Sequence, residues 1–267
     1  MRSQFDQINI MTYDLSGPWA GWITWFNSPI YDGGTRFPSS HGLVPSIDGS
    51  VNAFIAAGIP AGKLGIGIAF YGYIWSGGTG TTNGGVAFPR ESYTTDPVAV
   101  PCSYDEIMTN YQSQLYRWDT YAQAAYLTID NSGSANDRFI SYDDEHACQA
   151  KVSYARNRGL GGVMIFDLGN GYRPTQPVGK RDPLLQAIKQ ALATPLFTGL
   201  TRTNQLTQLN FNTSPLGLYR VLWTSNLMGG PWNTLTNSLS ASGTNLQVID
   251  SATPASDQRF YRIQTPP

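Results

Sequence analysis

The sequence predicts an α/β domain over residues 1–194, followed by a small all-β module over residues 195–267. Three observations predict it. Apolar runs, each followed by a loop and a stretch of helical periodicity, occur three times before residue 195. Beyond Pro195 no window keeps a helical period, and the tail carries short alternating segments separated by Ser, Asn, Gly and Pro clusters. Strand, loop and helix repeated in this way is the pattern of an α/β barrel or a doubly wound sheet.

The elements follow in order. Residues 5–13 read as a buried strand, and the long loop after it, residues 17–49, carries Trp19, Trp22, Trp25 and Tyr31. Residues 50–58 read as a helix, with Val51, Phe54 and Ile55 on one side and Gly58 as the stop. Residues 63–72 are apolar on both faces, the mark of a parallel strand covered on both sides, with glycines where backbone or ligand comes close. The segment 76–142 reads as an inserted α+β element. It opens with a Gly- and Thr-rich loop to residue 101, continues with a helix over 104–112, and ends with strand-like pieces around 125–127 and 138–140. An amphipathic helix is expected over 143–158, N-capped by Ser141 or Asp143 and ended by Gly159. Residues 161–167 form the third two-faced strand, and 183–193 the last helix, with Leu184, Leu185, Ile188 and Leu192 on one side. The tail strands are expected at 206–211, 218–224, 232–235, 245–250 and 259–264, in a sandwich.

Composition narrows the function. Seventeen basic against eighteen acidic side chains leave a net charge of −1, which gives no basic patch for nucleic acid. The longest apolar stretch, around residues 64–75, is broken by glycines and too short to span a bilayer. Charged residues are 13% of the chain against about 25% in a typical domain. With 28 Gly and 17 Pro, this balance points to a secreted protein with a Ser-, Thr- and Asn-rich surface. Residues 1–3 lead straight into an apolar segment without the three-part pattern of a signal peptide, so either a signal has been cut away or the chain begins mid-protein. Seven Trp among 12% aromatics suit a ring-shaped ligand or an ordinary core. Cys102 and Cys148 allow one disulfide or two buried thiols, and with only His41 and His146 beside them no zinc site is expected. No metal or other cofactor is implied.

Three strand ends carry a resemblance. Met11-Thr12-Tyr13-Asp14-Leu15-Ser16-Gly17-Pro18-Trp19, followed by Asn27-Ser28-Pro29-Ile30-Tyr31, resembles the sixth barrel strand and its loop in the family-18 glycoside hydrolases, the chitinases and their relatives. The run from Lys63 to Gly72 is similar to their seventh strand, and that from Gly159 to Gly169 to their eighth. Phe139-Ile140-Ser141-Tyr142-Asp143-Asp144-Glu145 resembles the segment that follows the α+β insertion of the larger chitinases. The resemblance implies the C-terminal part, strands six to eight, of a (β/α)8 TIM barrel. It implies hydrolysis of β-1,4 bonds between N-acetylglucosamine units, with the substrate's own acetamido oxygen as nucleophile, and chitin or chito-oligosaccharide as the partner. Tyr13 would then donate to the acetamido oxygen and Asp14 would support charge on the ring. Met11 and Tyr71 would line the same subsite, with Trp19, Phe166 and Asp167 as further sugar contacts.

The departures matter as much. The family's acid ends an Asp-x-x-Asp-x-Asp-x-Glu motif on the fourth strand, and that spacing occurs nowhere in this sequence. Tyr73 stands where an Arg often follows the seventh-strand Phe-Tyr-Gly, and Phe166 where a Trp floors the subsite. Asp143, Asp144 and Glu145 read as helix-capping carboxylates, whereas Asp167, with Asp14, is a candidate acid/base pair across a cleft. Two function classes follow: a portion of a chitinase-type hydrolase that needs an N-terminal half, or a non-catalytic carbohydrate binder with aromatic subsites in Trp19, Trp22, Trp25, Tyr31, Trp75 and Trp118. An incomplete barrel exposes sheet edges and an apolar face, so self-association or a partner is expected. In the tail, Tyr219, Trp223, Trp232 and Tyr261 offer either a sugar platform or core, with core favoured for Trp223 and Tyr261.

Overall fold

Alternation of Leu, Ile and Gly over residues 64–69 produces the one strand of the α/β part that is buried along its whole length. The computed structural model of the chain describes residues 4–265 except 83, 132–135, 194, 204–205, 214–217, 244 and 252–257. Residues 1–3 lie outside the described residues. Two compact units are formed, Met1–Ile188 and Lys189–Pro267.

In the first unit β1 (Ile8–Ile10), β2 (Leu64–Ala69) and, later in the chain, β8 (Gly162–Phe166) make a parallel sheet with β2 in the centre. Ala69 pairs with Phe166, so β2 and β8 end together, whereas Ile10 pairs with Ile66 and β1 ends three residues short of them. Helix α1 (Ile47–Ala56) starts earlier than the apolar spacing suggested, because Ser46 accepts from Gly49 N and caps it. Ile47 and Val51 of α1 meet Leu64 and Ile66 of β2 in one apolar cluster with Tyr154 of the later helix α3.

After Phe70 the chain leaves this sheet for a five-stranded antiparallel one. The Gly- and Thr-rich segment expected as a loop over 76–101 is strand at both ends and loop only between them. β3 (Tyr71–Thr79) pairs with β4 (Thr95–Ser103). Its exposed threonines pair with each other rather than with a core, which hid the strand from a hydrophobic pattern. Helix α2 (Tyr104–Asn110) follows, then β5 (Leu115–Asp119), which the sequence reading lacked, β6 (Ala124–Ile129) and β7 (Arg138–Tyr142), in the order β4-β3-β7-β6-β5. Trp25 and Phe26 from the long loop pack on Trp75 and Phe139 of this sheet. Trp25 and Trp75 are wholly buried, so neither is a sugar-facing ring. Trp118 stacks on His146 at 3.9 Å, and Tyr31 meets Tyr154 edge-on at 5.9 Å.

Helix α3 (Glu145–Asn157) starts two residues later than expected and is capped by Asp144, which accepts from Ala147 N at 2.7 Å, rather than by Ser141 or Asp143. Asp143 instead turns inward and pairs with Lys151, and both are buried. The expectation of two covered faces fails for β8 and for the start of the chain. β8 is half-buried, and only three residues of β1 pair, because each strand has a ladder neighbour on one side alone among the described residues. The short α4 (Leu168–Gly171) and α5 (Pro183–Ala193) complete the helices. On α5, Leu184 and Ile188 are buried with Ala187, whereas Leu192 is exposed. No helix among the described residues is long and apolar enough to cross a membrane.

The second unit holds two three-stranded antiparallel sheets. β9 (Phe197–Thr203), β10 (Leu206–Asn212) and β13 (Asn245–Asp250) form the order β13-β10-β9. β11 (Leu218–Thr224), β12 (Asn233–Ser240) and β14 (Phe260–Gln264) form β12-β11-β14. Leu209 and Phe211 of one sheet face Tyr219 and Val221 of the other. β9, absent from the sequence reading, is mostly exposed and so lacks an alternating signal. Tyr261 joins this core, but Trp223 does not: the Arg259 guanidinium lies 3.8 Å from its ring, and that of Arg262 lies 4.2 Å from Trp232. Neither indole is a bare platform for a sugar.

Removing Lys151 strands a buried carboxylate, a change that costs about 3–5 kcal/mol in comparable pairs. Lys151→Met is expected to lower the urea midpoint of the first unit's unfolding accordingly, and Lys151→Met with Asp143→Leu to recover most of the loss.

Candidate functional site

Parallel strands in register deliver their C-terminal ends to one side, and here those ends carry aromatic rings around one carboxylate. Tyr13 lies three residues beyond β1, Tyr71 opens β3 just past β2, and Phe166 closes β8. The Tyr13 and Phe166 rings stack at 5.4 Å, and Tyr71 stands edge-on to Tyr13 at 6.1 Å and to Phe166 at 6.4 Å. Gly67 makes this packing feasible: a Cβ there would sit 2.5 Å from the Tyr13 ring. The glycines of β2 thus answer to a neighbouring side chain.

Asp14 is held by three neighbours. Its backbone has a φ of 57°, in the left-handed region that Asp tolerates better than most residues. Its N–H donates to Asn27 Oδ1 at 2.8 Å, and Asn27 Nδ2 donates to the Tyr71 carbonyl at 3.4 Å. The Asp14 carboxylate accepts on Oδ1 from Tyr71 at 2.6 Å and from Tyr73 at 3.1 Å. Burial first, then the hydrogen bond to Asp14 and its charge, push the Tyr71 phenol far above its ordinary value. Burial and the Asp14 charge also push Tyr73 up to about 12 and raise Tyr13. All three hydroxyls therefore stay protonated near neutral pH. Tyr13 Oη meets only the weak acceptor Met164 Sδ, at 4.0 Å, among the described residues, which leaves its donor capacity for a ligand.

The other expected residues are placed less centrally. Both oxygens of Asp167 accept from Asn170, from its N at 3.0 Å and its Nδ2 at 2.9 Å, so Asp167 caps α4. With Asp14 on two phenols and Asp167 on Asn170, the two carboxylates expected to act as a pair are each engaged elsewhere. Met11 is 70% exposed, and Trp19, half-exposed, packs edge-on against Trp22 at 4.5 Å over Gly17 rather than in the ring cluster.

A groove of about 320 Å³ adjoins the cluster, lined by Tyr71, Phe166, Ser103, Glu106 and Asn170 among others. Glu106 was not singled out by the sequence reading. Its signal is Ser103-x-x-Glu106, a capping box in which the carboxylate accepts from Ser103 N at 3.0 Å and from its hydroxyl at 2.8 Å. Those bonds hold it below the usual carboxylate range. Asn27 was missed for want of any local signal, because its partners lie 13 and 44 positions away. Tyr73, read only as a missing Arg, proves to be a donor to Asp14. Of the two alternatives for Cys102 and Cys148, free thiols are found, and burial with the Glu106 charge pushes Cys102 up to about 11.

Residues 1–171 match the family model described as glycosyl hydrolases family 18. The chain belongs to this family. Its family-18 relatives include chitinase A1 of Niallia circulans, 31% identical over 182 residues, which are 64% of this chain and 24% of that protein. Among solved structures, a family-18 N-acetylglucosaminidase from Paenibacillus barengoltzii is 27% identical with a TM-score of 0.53, over 71% of this chain and 50% of that one. Human YKL-39, described as a pseudo-chitinase with retained chitooligosaccharide binding, shares the fold at 21% identity and a TM-score of 0.58, over 72% of this chain and 52% of that one. The chain thus spans from about a quarter to about half of the length of these relatives, and its α/β part shares part of their fold.

The Asp14 carboxylate raises the Tyr73 value, and Asp14→Asn removes that charge. Absorbance titration at 295 nm is expected to show Tyr73 ionising near 12 in the unaltered chain and at a lower pH in Asp14→Asn, still above its ordinary value because burial, the larger cause, remains. The sign follows from a folded value above the unfolded one: the stabilisation is complete below about pH 10 and lost as pH rises through the folded value.

Proposed function

We propose that this chain provides the sugar-holding part of a chitinase-type glycoside hydrolase, with β1, β2 and β8 as the sixth, seventh and eighth barrel strands and residues 76–142 as the insertion. One observation carries the reading. Tyr13, Asp14, Tyr71 and Phe166 converge at three parallel strand ends, in a sequence without the Asp-x-x-Asp-x-Asp-x-Glu motif. Tyr13 donates its hydroxyl to the acetamido oxygen of N-acetylglucosamine, and Asp14, oriented by Tyr71 and Tyr73, supports positive charge developing on the ring. Phe166 floors the sugar, while Met11, Trp19 and Asp167 contact neighbouring units of chitin or a chito-oligosaccharide. Hydrolysis needs an acid from a further polypeptide portion, set against the outer edges of β1 and β8. Those edges also favour self-association of the isolated chain. Low charge and a Gly-rich surface fit a secreted protein, with residues 195–267 as a separate sandwich module.

A second reading is a chitin binder without hydrolysis. The absent acid motif favours it, as does the phenyl ring of Phe166, which stacks on less of a sugar than an indole does.

Chitin pull-down and release from a fluorogenic chitobioside separate the two readings. Both expect the isolated chain to bind chito-oligosaccharide, with Tyr13→Phe weakening binding by about 1 kcal/mol, the scale of one hydrogen bond. Release on adding a polypeptide with the acid-bearing strands supports the first reading, and binding without release the second. Neither binding nor release would overturn both. Sedimentation is expected to show concentration-dependent association of the isolated chain, and a monomer at high concentration overturns that part.

A further inference from the structure

The second unit contains a feature for which the sugar site has no use. Among the described residues, β14 has a ladder partner in β11 alone, and β9 in β10 alone. Along each outer edge every second residue therefore points its N–H and C=O away from its own sheet. Two cavities lie along this edge of β14. One, of about 430 Å³, has Phe197, Gly199 and Leu200 of β9 on one wall and Phe260 and Tyr261 on the other. The second, of about 490 Å³, is bounded by Gln190 and Ala193 of α5 with Pro195 on one side and by Arg220, Ile263 and Gln264 on the other. As the numbers rise along β14 they fall along the facing segment, and the two cavities make one furrow along β14, faced by the antiparallel edge of β9 across the first and by the end of α5 across the second. At about 3.4 Å per residue, the five residues of β14 make it about 17 Å long, the span of a short strand.

The walls and charges narrow the occupant. Phe197 and Leu200 are 39% and 59% exposed, apolar surface that a strand with alternating apolar side chains would cover. Residues 189–267 carry five basic side chains, Lys189, Arg202, Arg220, Arg259 and Arg262, and two acidic ones, a net of +3, against −4 for residues 1–188. Asp250 is wholly buried and already accepts from Arg259 at 2.6 Å and Tyr261 at 2.9 Å. Arg220 is steadied by Gln264 Oε1, which accepts from its Nε at 2.8 Å at the rim of the larger cavity. A second copy offering its own β14 would bring identical guanidinium groups together, which like charge opposes.

We propose that the furrow between β14 and β9 accepts an added β-strand from a partner protein: an extended peptide with alternating apolar side chains and carboxylates at its ends. Main-chain bonds to β14 supply affinity, and the aromatic walls and Arg220 supply selection.

The test uses the full chain and a heptapeptide of alternating valine and threonine with glutamate at both ends. The expected result is saturable binding, with amide-exchange protection of β14 and β9 raised at least tenfold. Methylating alternate peptide nitrogens, exchanging the glutamates for lysines, or introducing Arg220→Glu should each weaken binding about tenfold. Arg220→Glu should also favour the lysine peptide. Absence of binding at millimolar peptide, equal binding of the methylated peptide, protection elsewhere, or protection of β14 by dimerisation without peptide would each overturn the proposal.

Discussion

The buried Lys151–Asp143 pair holds the α/β part in register with its site. Transfer of two charges from water costs several kcal/mol each, and mutual attraction offsets this only where the remaining hydrogen-bonding capacity is also met. Here it is met by strand ends. Asp143 accepts from Ala69 N at 3.3 Å, Lys151 donates to Ser28 Oγ at 2.5 Å, and Ser28 donates to the Thr12 carbonyl at 2.6 Å. Thr12 Oγ1 closes the web on Gly67, donating to its O and accepting from its N, both at 2.9 Å. Burial still raises Asp143, partly countered by the Lys151 ammonium. One ion pair on α3 thus ties down the ends of β1 and β2, next to Tyr13, Asp14 and Tyr71.

On that base the site is an arrangement of neutral donors around a single carboxylate. Two phenols on one oxygen of Asp14 orient it without cancelling its charge, as a guanidinium in place of Tyr73 would. The left-handed backbone at Asp14 survives because Asn27 receives its N–H and, through Tyr71 O, binds the same corner to β3. Rigid strands and a satisfied polar layer beneath them give the preorganisation that binding of a developing charge requires.

The second unit solves a different problem with similar means. Among the described residues its sheets share a core of six buried residues, and its two tryptophans are covered by arginines. Stacked guanidinium groups protect apolar rings from water while keeping charge at the surface.

Periodicity and motif order were sufficient for much of this. The run from Lys63 to Gly72 shows a covered parallel strand because its alternation is unbroken, and Met11 to Trp19 resembles the family through the order of its residues at a strand end and loop. Residues 183–193 read as a helix from local spacing alone. Strands with exposed or polar faces, β4, β5 and β9, carry no such signal, since pairing with a neighbour rather than burial defines them. The sequence by itself determined the fold class, the strand ends that bear Tyr13, Asp14, Tyr71 and Phe166, and the lack of an acid motif. Only the tertiary structure decided that Trp25 and Trp75 are core, that Asp143 faces Lys151 while Asp144 caps the helix, and that Asn27 and Tyr73 set Asp14. Those outcomes depend on groups many positions apart competing for burial and hydrogen bonds, and no local pattern records who wins.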